Sequence, residues 1–382
     1  MAESFLINPQ KKQKTTINII KPEALIESEE IALHQLDNKI DILHKRLNLT
    51  AKLKPQNYLS ELDNFLIRKG EYAPTFSYAF PESKKLFQRK DELNQLKDTC
   101  KNGTLKSPLV KLFDEKVDEL LVRHQLLEAY KKQDYAEIEK GNELLRGGFD
   151  ANLIALSKEK LATSEHRELL GPVLGFRQVK EKIEKRLSDL EIFDVEIVEN
   201  SANLSRVSVT MGEEIKINIS QGVEFREKEV EGIIAHEIDT HLLRYVNGKK
   251  SGWKIFSSGT GNYLRDEEGL AIWNAKQKLP TEYESLGIRK KYYLLHEAKN
   301  LNFKQLFDLA SRVYPQYSLE GRFKVCVRMK KGIMHNGSQV KGIVWGKNKV
   351  YLEGYKKLEM LKGIDPRASL GKIKIDDLDF IH

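Results

Sequence analysis

The hydrophobic residues of this chain change their spacing twice, and this change limits the folds that the sequence can adopt. Up to about residue 192, apolar residues recur every three or four positions, as Leu36, Ile40 and Leu43 do, which is typical of amphipathic helices. Three short segments then alternate apolar and polar residues in the manner of half-buried strands: 195–198, 207–209 and 215–219. Because helical spacing resumes near residue 227, the sequence predicts an α+β fold of many helices around one small sheet.

The same patterns predict individual elements and boundaries. A helix is predicted at 176–190 and another at 349–361, with a short extended piece at 341–345. The last two alternating segments are expected to form a hairpin, since only a short polar stretch separates them. We predict three regions, with the last two forming one continuous domain: a loosely held arm at 1–28, a helical lobe at 29–192 and a second lobe at 193–382.

Composition excludes several classes of protein. Of 382 residues, 40% are hydrophobic and 31% are charged, which excludes wholesale disorder and a collagen-like repeat. The two cysteines, Cys100 and Cys326, indicate free thiols in a reducing compartment rather than a disulfide scaffold. No apolar run approaches the roughly 20 residues that span a bilayer, and no secretory signal is expected at the start. We therefore expect a soluble cytoplasmic protein with no membrane partner.

The positive charge is concentrated at one end of the chain. The net charge is +8, and residues 321–382 contain 14 lysines and arginines against 6 acidic residues. Such an excess attracts an anionic partner, although a solvated lysine-rich face has the same composition. No zinc-finger spacing, glycine-rich phosphate loop or aromatic stacking motif accompanies the charge, which argues against nucleic acid.

The segment His236-Glu-Ile-Asp-Thr-His241 is the clearest candidate for chemistry. Zinc peptidases commonly place two histidines four residues apart on one helix face, whereas here the spacing is five. On a regular helix, five residues turn about 500° and leave the imidazoles roughly 140° apart, too far to share a cation. If both histidines bind one metal ion, the helix must therefore contain a π-bulge between Ala235 and Leu242.

Two histidines need a third protein ligand, and an acidic cluster follows at Asp266-Glu-Glu268. A carboxylate from this cluster can complete a set of two histidines and one glutamate around a catalytic zinc ion. Glu237, beside the first histidine, is placed to act as the general base for a zinc-bound water. Each signal alone has an ordinary explanation: a hydrogen-bonded histidine in a core, or acidic residues that complement a helix amino terminus.

Several motifs, in order, resemble the tubulin tyrosine carboxypeptidase family and its bacterial relatives with a Gln-Glu-Gly-Leu-Ala motif. The histidine segment, continued to Arg244, and Glu267-Glu-Gly-Leu-Ala271 carry the first part of this resemblance. The later segments that match are Cys326-Val-Arg-Met-Lys-Lys-Gly332, Trp345-Gly-Lys-Asn-Lys-Val-Tyr-Leu-Glu-Gly354 and Gly371-Lys-Ile-Lys-Ile-Asp-Asp-Leu-Asp379. The matches run from about residue 225 to the end.

The resemblance implies a mostly helical, zincin-like metallocarboxypeptidase with one Zn²⁺, acting on substrates that end in Tyr or Phe. It implies the metal ligands His236, His241 and Glu268, with Glu237 as catalytic base. Removal of a terminal residue also requires a cation for the free α-carboxylate. The candidates for this substrate contact are Arg328, Lys347 and Arg244. Tyr351 is the candidate donor to the developing oxyanion.

The sequence departs from the family pattern at Asp239, where the family has Gly. Asp239 is predicted either to accept a hydrogen bond from a ligand histidine or to misplace His241 and leave a weak or inactive site. The second outcome gives the alternative function, a non-catalytic zinc-binding regulatory or interaction protein of the same fold. In the catalytic interpretation, the partners are protein or peptide carboxy-terminal tails, and the basic end of the chain favours acidic ones. Three other departures concern substrate choice more than metal binding: Lys331, Gly346 and Asn348.

Overall fold

A computed structural model describes residues 27–161, 166–283, 286–332, 344–361 and 364–380. The described structure is mostly helical with small sheets, so the predicted α+β class is confirmed. Its α-helices before the sheet are α1 Glu27–Arg46, α2 Leu49–Lys52, α3 Tyr58–Ile67, α4 Ser83–Lys101, α5 Leu109–Lys132, α6 Tyr135–Arg146, α7 Ala151–Glu159 and α8 Phe176–Asp189. Those after it are α9 Glu227–His236, α10 Leu243–Lys250, α11 Ile255–Ser258, α12 Leu264–Lys276, α13 Gly287–Ala298, α14 Phe303–Val313, α15 Leu319–Met329 and α16 Val350–Leu361.

The strands form two small sheets. They are β1 Val173–Leu174, β2 Val195–Asn200, β3 Val207–Met211, β4 Ile215–Ser220 and β5 Phe225–Arg226. The three-stranded sheet has the order β2-β4-β3, with β2 parallel and β3 antiparallel to β4. The predicted hairpin is therefore confirmed as β3–β4. The prediction of a single sheet is wrong, because β1 and β5 pair to form a second sheet. Each of these two strands is too short to show alternation in the sequence.

Local sequence explains where several helices begin. The side chains of Asp134, Asp150 and Ser318 each accept a hydrogen bond from the backbone N–H three residues later, and so cap α6, α7 and α15. The helices predicted at 176–190 and 349–361 are confirmed as α8 and α16, within one residue at each end. Most of the predicted arm, residues 1–26, and residues 341–343 of the predicted extended piece lie outside the described residues.

The apolar face of the larger sheet packs beside the histidine segment. Val207, Ile217 and Ile219 share one buried cluster with residues of α8 and with Ile238 and Leu242 of the histidine segment. The expected place of the sheet, beside the candidate metal-binding helix, is confirmed. A second cluster joins α1, α4, α5 and α6 to Trp253, Ile373 and other residues beyond 192, so both predicted lobes contribute to one core.

Two glycines let α12 and α16 cross at close range, and these are the helices that carry Glu268 and Tyr351. A Cβ atom on Gly269 would lie 2.4 Å from the carbonyl carbon of Gly354, and one on Gly354 would lie 2.0 Å from the Arg265 carbonyl oxygen. These contacts leave no room for a methyl group. The glycine of the Glu-Gly-Leu-Ala motif is therefore needed for helix packing.

We expect Gly354→Ala to lower the free energy of unfolding by about 1–3 kcal/mol, the usual cost of overpacking, because α16 must move away from α12. Chemical denaturation measures this loss. Gly148→Ala is the matched control, since a Cβ there meets no atom within 4 Å. Equal stability of the two variants would contradict the role assigned to the glycine contact.

Candidate metal centre

The helix that carries the two histidines is locally widened. α9 ends at His236, a π-helical turn follows at Glu237–Leu242, and α10 continues from Leu243. Within this π-turn, the Leu243 N–H donates to the Ile238 carbonyl, five residues earlier. The widening predicted from the histidine spacing is thus confirmed. It brings the imidazoles of His236 and His241 to a centroid distance of 4.9 Å, with ring planes at 78°.

The third group of the cluster comes from α12. Glu268 Oε2 lies 3.6 Å from His236 Nε2 and 3.4 Å from His241 Nε2, and Glu268 is buried. One donor atom from each of these residues lies within 4.8 Å of the other two. In a tetrahedral zinc site with bonds of about 2.0–2.1 Å, ligand atoms lie about 3.3 Å apart. Two nitrogen donors and one carboxylate at these separations therefore fit a zinc ion.

The protonation of the cluster follows from its burial and its neighbours. Burial disfavours a charged Glu268, but Lys347 and His241 outweigh this and hold the pKa of the carboxyl well below its usual range. Burial also opposes charge on His241, yet the carboxylates of Glu268 and Glu267 raise the pKa of its imidazole to about 10. Glu268 is consequently ionised at neutral pH, as a metal ligand must be.

Glu237 and Tyr351 lie near this cluster, and the Glu237 charge acts on the Tyr351 hydroxyl. Glu237 follows His236 directly and is half-buried, and its side chain makes no hydrogen bond or ion pair among the described ranges. The Tyr351 ring stacks on the His236 ring at a centroid distance of 6.4 Å and an angle of 16°. Burial and the nearby Glu268 raise the pKa of Tyr351 to about 12, so its hydroxyl is a hydrogen-bond donor at neutral pH.

Cations line the side of the site formed by α15 and the turn before α16. Lys347 Nζ lies 3.3 Å from Glu268 Oε1, the carboxylate oxygen that does not face the histidines. Arg328, on α15, donates to Asn348 Oδ1 at 3.4 Å. Lys331 is buried, and burial together with Lys347 and Arg328 lowers the pKa of its ammonium to about 7. In the described parts of the chain, neither Arg328 nor Lys331 forms an ion pair.

Comparison with known proteins identifies the family. A family model described as microtubule-associated tyrosine carboxypeptidase matches residues 63–382. The chain belongs to this family. Microtubule-associated tyrosine carboxypeptidase 1 of Homo sapiens is 30% identical over 239 residues, which cover 59% of this chain and 48% of that protein. The protein of the same name from Rattus norvegicus is 32% identical over 164 residues, or 40% and 33% of the two chains. The chain thus spans about half the length, or less, of these relatives.

The departure from the family pattern at Asp239 does not serve the role predicted for it. Asp239 Oδ1 accepts a hydrogen bond from Arg186 Nε at 2.7 Å, so the Asp239 carboxylate pairs with an arginine of the neighbouring helix α8. The hydrogen-bond partner of His241 is Glu267 instead, whose Oε1 lies 2.8 Å from His241 Nδ1. The first alternative for Asp239, a hydrogen bond from a histidine of the cluster, is therefore wrong, because the Asp239 side chain is directed toward α8. The second alternative, a weak or inactive site, stays a prediction.

Arg244 is also used differently from its predicted role in substrate binding. Its guanidinium is 1% exposed and donates to the carbonyls of Gly371 and Ile373 and to the Glu267 carboxylate. Each guanidinium nitrogen donates one of these bonds and the side chain is buried, so a terminal carboxylate cannot reach Arg244. It anchors Glu267, and Arg244 and Lys372 hold the pKa of Glu267 at about 2 despite burial.

Glu267 beside the site had no predicted role. It stood next to the predicted ligand Glu268, and only the structure shows that Glu268 faces both histidines while Glu267 bonds to His241. Lys331 and Asn348, predicted to concern substrate choice, lie in the motifs of Arg328 and Lys347, and this proximity in sequence was the signal for their place beside the site.

No helix of the described residues is long and apolar enough to span a membrane.

Proposed function

We propose that this protein is a cytoplasmic zinc-dependent carboxypeptidase that removes a terminal Tyr or Phe from protein or peptide tails. The observation that carries the proposal is the π-turn, which brings His236 and His241 together with Glu268 as a group that could hold a metal ion. The names of the relatives support the reaction, and the free thiols of Cys100 and Cys326 support a reducing compartment.

In this proposal Glu237 carries the proton, because it lies beside the metal site but is not one of the three proposed ligands. His236, His241 and Glu268 would hold the zinc ion, which would supply a Lewis acid to polarise the scissile carbonyl and activate water. Glu237 takes the proton of the attacking water and later delivers it to the amine of the departing residue. The Tyr351 hydroxyl, protonated at neutral pH, donates to the oxygen of the scissile carbonyl as negative charge develops there.

The cations of α15 and the following residues bind the terminal carboxylate. Arg328 presents a planar guanidinium that can hold both oxygens of a carboxylate, and it lies close enough to Lys331 to help lower the pKa of that ammonium. Lys347 is engaged by the second oxygen of Glu268, so its main task in this proposal is to orient that ligand. The excess of basic residues in 321–382 favours acidic tails as substrates.

We expect Arg328→Gln to lower kcat/KM by about 10- to 100-fold, because a hydrogen bond to a charged group contributes about 1.5–3 kcal/mol. The measurement is hydrolysis of a peptide ending in Tyr, compared with the same peptide ending in Tyr-amide. Without its carboxylate, the amide should be a poor substrate for the native protein, and the variant should cause little further loss. Arg177→Gln is the matched control, since Arg177 is 91% exposed on α8. An equal loss on both peptides would assign Arg328 a role other than carboxylate binding.

The proposed function is tested by two measurements on the purified protein. Elemental analysis should find one zinc ion per chain, and mass spectrometry of a peptide library should show loss of single carboxy-terminal Tyr or Phe residues. Chelation should abolish cleavage and added zinc should restore it. Bound zinc without any cleaved terminus would favour the non-catalytic regulatory or interaction protein. Absence of stoichiometric zinc would overturn the metal site itself.

A further inference from the structure

The buried side chain of Thr240 makes a hydrogen bond inside the widened turn. The Thr240 hydroxyl donates to the Ala235 carbonyl at 2.8 Å, five residues earlier. In a regular helix a threonine hydroxyl reaches the carbonyl three or four residues before it. Because the π-turn contains one extra residue, the Thr240 hydroxyl reaches the Ala235 carbonyl. In a regular α-helix, that carbonyl would accept a hydrogen bond from the backbone N–H four residues later. The bond from the Thr240 hydroxyl forms only when the turn is widened.

The same hydroxyl is tied to the helix that carries Glu268. Asn274 Nδ2, on α12, donates to Thr240 Oγ1 at 2.9 Å, and Thr240 is 1% exposed. Asn274 lies seven residues after Glu267, two helical turns along the same face. A continuous hydrogen-bonded path thus links Ala235, Thr240 and Asn274, and it joins the backbone beside His236 to α12.

We propose that Thr240 and Asn274 are positioning residues that fix the register of the π-turn, and thereby the direction of His241 relative to His236 and Glu268. The inference rests on the proposed function, because it assigns these residues a task at the metal site. Without the bond to Ala235, the segment can relax toward regular α-helix. Each residue of register rotates a side chain by about 100°, which would turn His241 away from the cluster.

The test compares Thr240→Val, which keeps the shape but removes the hydroxyl, with Thr240→Ser, which keeps the hydroxyl. Asn274→Ala removes only the tie to α12. The matched control is Thr99→Val, because the Thr99 hydroxyl makes an ordinary bond to the carbonyl of Gln95, four residues earlier, on the exposed side of α4. The readouts are the zinc dissociation constant, measured against a chromophoric chelator, and the visible absorption spectrum of the Co²⁺-substituted protein. Circular dichroism establishes that each variant is folded.

We expect Thr240→Val to raise the zinc dissociation constant about 10-fold or more, as loss of outer hydrogen bonds at metal sites commonly does. Its Co²⁺ spectrum should weaken, since displacement of His241 admits solvent ligands. Thr240→Ser and Thr99→Val should bind zinc as the native protein does, and Asn274→Ala should lie between. If Thr240→Val does not fold, native affinity in Asn274→Ala would overturn the inference and weakened affinity would support it.

Two results would count against different claims. A folded Thr240→Val protein with native zinc affinity and an unchanged Co²⁺ spectrum would overturn the role of Thr240 while leaving the zinc site in place. A native protein that binds no zinc would overturn the proposed function first, and the positioning role with it.

Discussion

A Glu237→Gln protein is expected to keep one zinc ion per chain and to lose its cleavage activity. Glutamine has the shape of glutamate but cannot take a proton from water, and general base catalysis contributes about 100- to 10,000-fold to a rate. The proposed metal ligands are His236, His241 and Glu268, so we expect the metal affinity not to depend on Glu237. The measurement is the rate of release of a terminal Tyr, combined with elemental analysis of the same preparation.

Glu231→Gln is the matched control for this variant. Glu231 lies on α9, upstream of the π-turn, and pairs with Lys228 at 3.1 Å near the surface. Its substitution should leave both zinc content and cleavage at native levels. Native turnover in Glu237→Gln with zinc bound would remove Glu237 from the mechanism. Loss of zinc from that variant would instead make Glu237 a metal ligand.

The histidine spacing, together with the hypothesis that both histidines bind one metal ion, predicted the unusual backbone of the site. Two histidines five residues apart can share a cation only if the helix holds one extra residue, and helical geometry makes this requirement independent of the rest of the fold. The hairpin β3–β4 was predictable for a similar reason, since alternation and a short connection are local properties. In both cases the deciding interaction lies within a few residues of the pattern that signals it.

The partners of the site residues were not predictable, because they come from distant parts of the chain. Asp239 faces Arg186, 53 residues earlier, while the Arg244 guanidinium meets carbonyls more than 120 residues later. The sequence shows the charges but not which of them the tertiary structure brings together. The parallel pairing of β2 with β4 depends likewise on packing against α8 and α9.

The buried pair of Arg244 and Glu267 should have a large effect on stability. We expect Arg244→Met to lower the free energy of unfolding by about 3–5 kcal/mol, the usual cost of leaving a buried charge without its partner. The substitution also removes donors to the carbonyls of Gly371 and Ile373, which hold the end of the chain against α10. Chemical denaturation, followed by circular dichroism, measures the change.

Arg186→Met is the control for a less buried charge pair. Arg186 and Asp239 are 24% and 20% exposed, so Asp239 can still be hydrated when its partner is removed, and the loss should be smaller than for Arg244→Met.

The double variant Arg244→Met/Glu267→Gln tests how much of the Arg244→Met loss comes from the unpaired charge of Glu267. In the double variant, residue 267 is an uncharged glutamine, so the removal of Arg244 leaves no unpaired charge behind. The double variant should therefore recover part of the stability that Arg244→Met loses. The remaining deficit then contains the lost bonds to the 371–373 backbone and the weakened contacts of residue 267 with His241 and Lys372. If Arg244→Met were as stable as Arg186→Met, Arg244 would not anchor Glu267, and the hydrogen bond that Glu267 accepts from His241 would need another support.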